Sequence, residues 1–133
     1  MKKFIQLALL PIFLFSCNAE SISPNFHYTA SFSPSKANVD VVESLVTDVS
    51  SNWNLRVVKK DRSQMKLLTE DQEAFFIALY QEEKHVLSIT NAGVGTSISM
   101  SLYAIDNFSI VQVEQLGREI RDGLLKELSI KFN

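Results

Sequence analysis

The feature that most constrains the fold of this 133-residue chain is a run of three strand-like segments with very short connections. Residues 74–81 are apolar on both faces, residues 85–91 follow after three residues, and residues 96–105 follow after four more. Connections this short join antiparallel neighbours, because a parallel crossover needs about a dozen residues or more. In the third segment apolar residues alternate with serines. We therefore predict a meander with one apolar face and one hydroxyl-rich face.

The segments before this meander predict two further strands and a helix. Residues 26–33 alternate between apolar and polar side chains, and residues 55–60 have the composition of a short strand. Between them, valines and leucines in residues 38–51 recur at three- and four-residue spacing. This spacing predicts an amphipathic helix with Ser35 or Asn38 as its N-cap. Because many of its residues are β-branched, burial must stabilise the helix, and we expect it to pack on the sheet.

A second helix is predicted for residues 110–128, where apolar residues again recur at helical spacing and Ser109 with Gln112 forms a capping-box pattern. Residues 61–72 are polar and fit either a short strand or a loop. The order of elements predicts a single α+β domain over residues 25–133. Its expected architecture is a two-layer sandwich, in which an antiparallel sheet of about five or six strands carries two helices on one face.

The N-terminus has the layout of a secretory signal. Residues 1–16 consist of a basic end with Lys2 and Lys3, an apolar run over residues 4–15, and the small residue Ser16. The run has 12 residues, whereas a helix that spans a bilayer needs about 20 apolar residues. We therefore expect residues 1–16 to be a signal peptide that is removed, and not a permanent transmembrane anchor.

The end of this signal, Leu14-Phe15-Ser16-Cys17, resembles the lipobox of bacterial lipoproteins. That resemblance implies cleavage before Cys17 by a signal peptidase of type II, with a diacylglyceryl thioether and an N-acyl group on Cys17. In Gram-negative members of the family, a residue other than Asp at the next position, here Asn18, implies outer-membrane sorting. Residues 17–24 would then be the acylated Cys and a short tether that reaches about 15 Å. The implied location is the periplasmic face of the outer membrane, with the domain close to the lipid; the alternative is another bacterial membrane surface.

Charge and cysteine content exclude several classes. Without residues 1–16 the chain keeps 11 basic and 15 acidic side chains, and this acidic balance argues against nucleic acid as a partner. A single cysteine excludes an internal disulfide framework. The two histidines, His27 and His85, lie on separate predicted strands, so neither a metal site nor a cofactor is predicted. No catalytic motif is present, and we do not expect an enzyme.

Ser97, Ser99, Ser101 and Tyr103 are the candidate binding residues outside the signal. They share the polar face of the last predicted strand. If both helices cover the opposite face, these side chains present a flat, hydroxyl-rich surface, and tyrosine is a side chain that often anchors interfaces.

These features favour a membrane-anchored binding protein: an envelope assembly accessory, an inhibitor or an immunity-type protein, with the membrane and an envelope protein as partners. The alternative is an envelope hydrolase whose site is assembled from distant residues such as His85, Asp106 and a serine. A local basic run that includes Arg56 and Lys60 fits either an anionic partner or a protected sheet edge.

Overall fold

The computed structural model describes residues 23–62, 73–91 and 96–133. Among these residues there are five strands and two helices. The strands are β1 (Phe26–Ser31), β2 (Arg56–Lys59), β3 (Phe76–Gln81), β4 (Lys84–Thr90) and β5 (Ser97–Leu102). The helices are α1 (Lys36–Asn52) and α2 (Ile110–Leu128). The α+β class is confirmed, and the bounds of the elements agree with the predicted ones to within three residues.

The five strands form one antiparallel sheet in the order β1-β5-β4-β3-β2. The meander β3-β4-β5 lies at its centre, as the short connections predict. The sheet then grows at both sides, since β1 pairs with β5 and β2 pairs with β3. Residues 63–72, most of the segment predicted as either a strand or a loop, lie outside the described residues.

Both helices pack on one face of the sheet and against each other. Each follows a Ser N-cap: Ser35 accepts a hydrogen bond from the Asn38 backbone N–H, and Ser109 forms a complete capping box with Gln112. The core lies between helices and sheet, where burial of apolar area stabilises the fold. Its helical side consists of Val39, Val42, Val46, Val49, Val113, Leu116, Ile120 and Leu124.

Two glycines allow α2 to approach its neighbours closely. A Cβ on Gly117 would lie 3.0 Å from Cδ2 of Leu102, and a Cβ on Gly123 would lie 2.8 Å from both Cδ atoms of Leu45. Gly117 therefore sets the distance between α2 and β5, and Gly123 sets the distance between the two helices. Larger residues at either position must displace a leucine side chain.

Arg62 joins helix α1 to the segment that precedes β3. Its guanidinium contacts Asp40 and Glu73 at 2.6 Å and Glu43 at 3.2 Å. The hydrogen bond to Asp40, with the charges of the neighbouring carboxylates, raises the pKa of Arg62. The cluster holds β3 against α1 at this end of the sheet.

A buried asparagine completes the same end of the domain. Asn91, at the end of β4, is fully buried. Its Oδ1 accepts a hydrogen bond from the Phe75 N–H at 2.8 Å, and its Nδ2 donates to the Glu73 carbonyl oxygen at 2.9 Å. One side chain thus pairs a buried backbone N–H and a partly buried backbone carbonyl oxygen.

Candidate functional site

The candidate binding serines lie on the sheet face that points away from both helices. On β5, Ile98, Met100 and Leu102 are fully buried, and the alternating serines are only partly buried. Strand pairing extends this face across the sheet. We call it the open face; it comprises His27, Thr29, Ser31, Arg56, Val58, Lys60, Phe76, Ala78, Tyr80, His85, Ser88, Thr90, Ser97, Ser99, Ser101 and Tyr103.

One half of the open face is rich in hydroxyl groups. Ser99 lies between Thr29 of β1 and Thr90 of β4, and Ser101 lies between His27 and Ser88. Ser101 Oγ and His27 Nδ1 are 2.9 Å apart and share a hydrogen bond. The structure thus places Ser97, Ser99 and Ser101 in one row, in which Ser99 has hydroxyl neighbours on both sides and Ser97 and Ser101 have one each, so that a flat partner meets several donors and acceptors at once.

The other half of the open face carries a continuous group of rings. The ring centroids of Tyr80 and His85 lie 5.4 Å apart, and those of His85 and Tyr103 lie 4.7 Å apart. Arg56 lies over the Tyr80 ring at 4.8 Å from its centroid. Ring contacts and a stacked guanidinium hold these side chains in place before any partner arrives.

The sequence analysis named Tyr103 as a binding residue but did not name Tyr80 or Phe76, which also lie on the open face. Both lie on β3, which is apolar on both faces, so alternation does not reveal which side chains face outward. The direction follows from strand pairing. Ala78 pairs with Val58 and Tyr80 pairs with Arg56, so these side chains and Phe76 lie on the open face. A usable signal for Tyr80 was the short turn at residues 82–83, which pairs Tyr80 with His85; beyond this pair the register of β3 against β4 shifts at a bulge.

His85 is neutral at pH 7 in this setting. Burial lowers the pKa of His85, and a hydrogen bond to the Leu87 carbonyl oxygen opposes the shift only in part. Because a carbonyl oxygen only accepts, Nε2 carries the proton and donates to Leu87 at 2.9 Å. In the neutral ring Nδ1 is then the unprotonated nitrogen. The ring group therefore has one acceptor nitrogen at its centre.

Charge is distributed unevenly between the two layers. Among the five described strands, the open face has no Asp or Glu and has the cations Arg56 and Lys60, the latter 4.8 Å above the Phe76 ring. The helical layer carries acidic residues such as Asp40 and Asp48. An acidic chain thus presents a face of locally positive charge.

The trio considered for a hydrolase is not joined by hydrogen bonds in the described part of the chain. His85 Nε2 is bound to Leu87, and Asp106 lies exposed in the turn between Ile105 and Phe108. The histidine that does contact a serine is His27. No carboxylate of the described residues hydrogen-bonds to its ring, so this pair lacks the third group that orients a catalytic base.

Cys17 lies outside the described residues, as does most of the tether. The point where the tether joins the domain is described. The Asn25 N–H donates to the Leu102 carbonyl oxygen at 2.8 Å, and Asn25 Oδ1 accepts from the Ala104 N–H at 2.7 Å. The chain therefore enters the domain at the end of the sheet where β5 finishes.

A cavity of about 610 Å³ lies at the other end of β1, beside the C-terminal residues. Its lining includes Ser31, Asn38, Thr96 and Lys131, and none of the described lining residues is His, Asp or Glu.

Within residues 23–62, 73–91 and 96–133, no group of three His, Cys, Asp or Glu side chains is placed to hold a metal ion, and no helix has the length and apolar character needed to cross a membrane. Comparisons with protein-family models, with curated proteins and with solved structures find no match to this chain.

Proposed function

We propose that this chain is a bacterial lipoprotein, anchored through acylated Cys17 at the periplasmic face of the outer membrane, and that it works by binding an envelope protein through the open face. The order of basic end, apolar run, small residue and Cys supports the anchor. The binding proposal rests on the open face, on which neither described helix packs.

The side chains of the open face suit an interface better than a solvated surface. Tyrosine and arginine are the residue types that most often dominate binding energy, and here Tyr80, Tyr103 and Arg56 are already held by ring contacts. Ordered side chains lose little conformational entropy on binding. The serine row beside them supplies hydrogen bonds that fix the orientation of the partner.

The charge of the open face restricts the partner. Arg56 and Lys60 face outward without a carboxylate among the neighbouring residues of the described strands. Complementarity therefore favours a partner surface that is neutral or acidic, and binding that weakens as the salt concentration rises.

The anchor is tested by metabolic labelling with a fatty acid. We expect the label in the native chain and its loss in Cys17→Ala. Equal labelling of both chains, or an unlabelled native chain, contradicts the anchor.

The binding face is tested with a photo-crosslinking amino acid placed at Ser99 in cells. Ser44, an exposed serine on α1, is the matched control position on the helical layer. We expect one discrete adduct from position 99, none from position 44, and reduced adduct when Tyr103→Ala is added. The same adducts from both positions, or none from position 99, contradict binding through the open face.

A further inference from the structure

Two large apolar side chains lie adjacent and exposed at the start of α2. Ile110 is 49% exposed and Val111 is 68% exposed, which makes Val111 the most exposed large apolar side chain of the described residues. Both follow the N-cap Ser109 directly. The folded domain does not use these side chains in its core, whereas Val113 and Leu116 of the same helix are fully buried.

This apolar pair lies at the end of the domain where the tether enters. Asn25 is hydrogen-bonded to Leu102 and Ala104. From Ala104 the chain reaches Ile110 through a tight turn, which the bridge between Ile105 and Phe108 closes. Six residues span at most about 20 Å when fully extended, and the turn makes the actual distance shorter.

The tether is too short to hold this end far from the anchor. Eight residue steps separate Cys17 from Asn25. Eight residue steps span at most about 28 Å, even at full extension. With Cys17 held at the lipid surface, Asn25 stays within about 28 Å of it, which keeps the end of the domain that carries Asn25 and Ile110 near the bilayer.

From this placement we infer that Ile110 and Val111 dock on the outer membrane and contact the boundary between headgroups and acyl chains. The inference rests on the lipid anchor of the proposed function and adds a second contact with the same membrane. Exposed aliphatic side chains suit that boundary. The capping box favours the approach, because Ser109 Oγ accepts from the Gln112 N–H and Gln112 Oε1 accepts from the Ser109 N–H. Two backbone donors of the helix start are thus paired before they meet lipid.

The test places a fluorescent label on α2 of the acylated protein in phosphatidylcholine vesicles that contain a nitroxide-labelled lipid. Acylation consumes the thiol of Cys17, so Val111→Cys supplies the single free thiol. The matched control is Leu125→Cys, a 46% exposed apolar position on the same helix, about 21 Å further along its axis. We expect several-fold stronger quenching at position 111 than at position 125, whereas equal quenching at both positions overturns the inference.

A second experiment separates contact from mere proximity. A label at Asn107→Cys, in the exposed turn before α2, reports the distance of this end from the lipid. Adding Ile110→Ser and Val111→Ser should lower its quenching at least twofold, while the protein still sediments with the vesicles. Unchanged quenching overturns the docking contact and leaves the anchor intact. Native protein that does not sediment with vesicles overturns the anchor and, with it, the inference.

Discussion

Asn91→Ala should destabilise the domain far more than the small number of removed side-chain atoms suggests. The substitution leaves the buried Phe75 N–H and the partly buried Glu73 carbonyl oxygen without this partner. A buried polar group that loses its partner costs about 1–3 kcal/mol. The partly buried carbonyl oxygen adds less, so we expect a total loss of about 2–4 kcal/mol. Asn38→Ala is the matched control, because Asn38 Nδ2 donates to the Ser33 carbonyl oxygen at 2.9 Å in an exposed setting. There we expect a loss below about 1 kcal/mol.

The assay is urea unfolding of a soluble chain that begins at residue 18, followed by far-ultraviolet circular dichroism. Asn91→Asp separates the two hydrogen bonds, because an ionised carboxylate accepts from Phe75 but cannot donate to Glu73. Burial raises the pKa of the introduced carboxyl, so the variant should recover stability as the pH falls from 7 to 4 and the group becomes a donor. The reasoning is refuted if Asn91→Ala is no more destabilising than Asn38→Ala, or if Asn91→Asp gains nothing at pH 4 relative to the native chain.

Three further predictions concern other contacts. Gly123→Ala should not give the stabilisation of about 1 kcal/mol that helix propensity offers, because the added Cβ meets Leu45. In a double-mutant cycle, Leu45→Ala should make room for this Cβ, so the two substitutions should couple favourably; additive effects would contradict the predicted contact. Because burial lowers the pKa of His85, the unfolded chain takes up the proton first as the pH falls below about 6.5, and stability declines. His85→Gln should reduce this loss of stability between pH 7 and 5, as measured by urea unfolding at each pH. His27→Gln is the comparison, and an unchanged pH dependence in His85→Gln would contradict the prediction. Arg62→Met should lower the free energy of unfolding by about 1–2 kcal/mol, and by less in 1 M salt, which screens the charges. An equal loss at low and high salt would exclude the charge cluster as the cause.

Local patterns in the sequence were sufficient to predict most elements of the fold. Alternation locates β1 and β5, helical spacing locates both helices, and an apolar run locates β3. The short connections over residues 82–84 and 92–95 of the sequence predict the central meander. The pairing of β1 with β5 was beyond reach, because Phe26 and Leu102 are far apart in sequence and no local signal specifies such a pair. The two helices were predicted on one face because their apolar stripes need a common core.

The candidate site was predicted only in part, for a related reason. Ser97, Ser99 and Ser101 alternate with apolar residues, so their outward direction is visible in the sequence. Tyr80 lies in a strand with two apolar faces, and its direction depends on strand pairing. Asn91 resembles an ordinary polar residue at the end of a strand, because its role depends on a backbone segment 16 residues earlier in the chain.

The two proposals together restrict where a partner must lie. Tyr80 pairs with His85 beside the turn that joins β3 to β4, and Tyr103 follows the residue whose carbonyl oxygen binds Asn25. The ring group therefore lies at the same end of the sheet as the tether. If Ile110 and Val111 hold that end on the lipid, the strands run away from the membrane surface and the open face stands roughly perpendicular to that surface. A protein that contacts the ring group must then present its own binding surface close to the outer membrane, which favours a membrane-bound partner over one that diffuses in the periplasm.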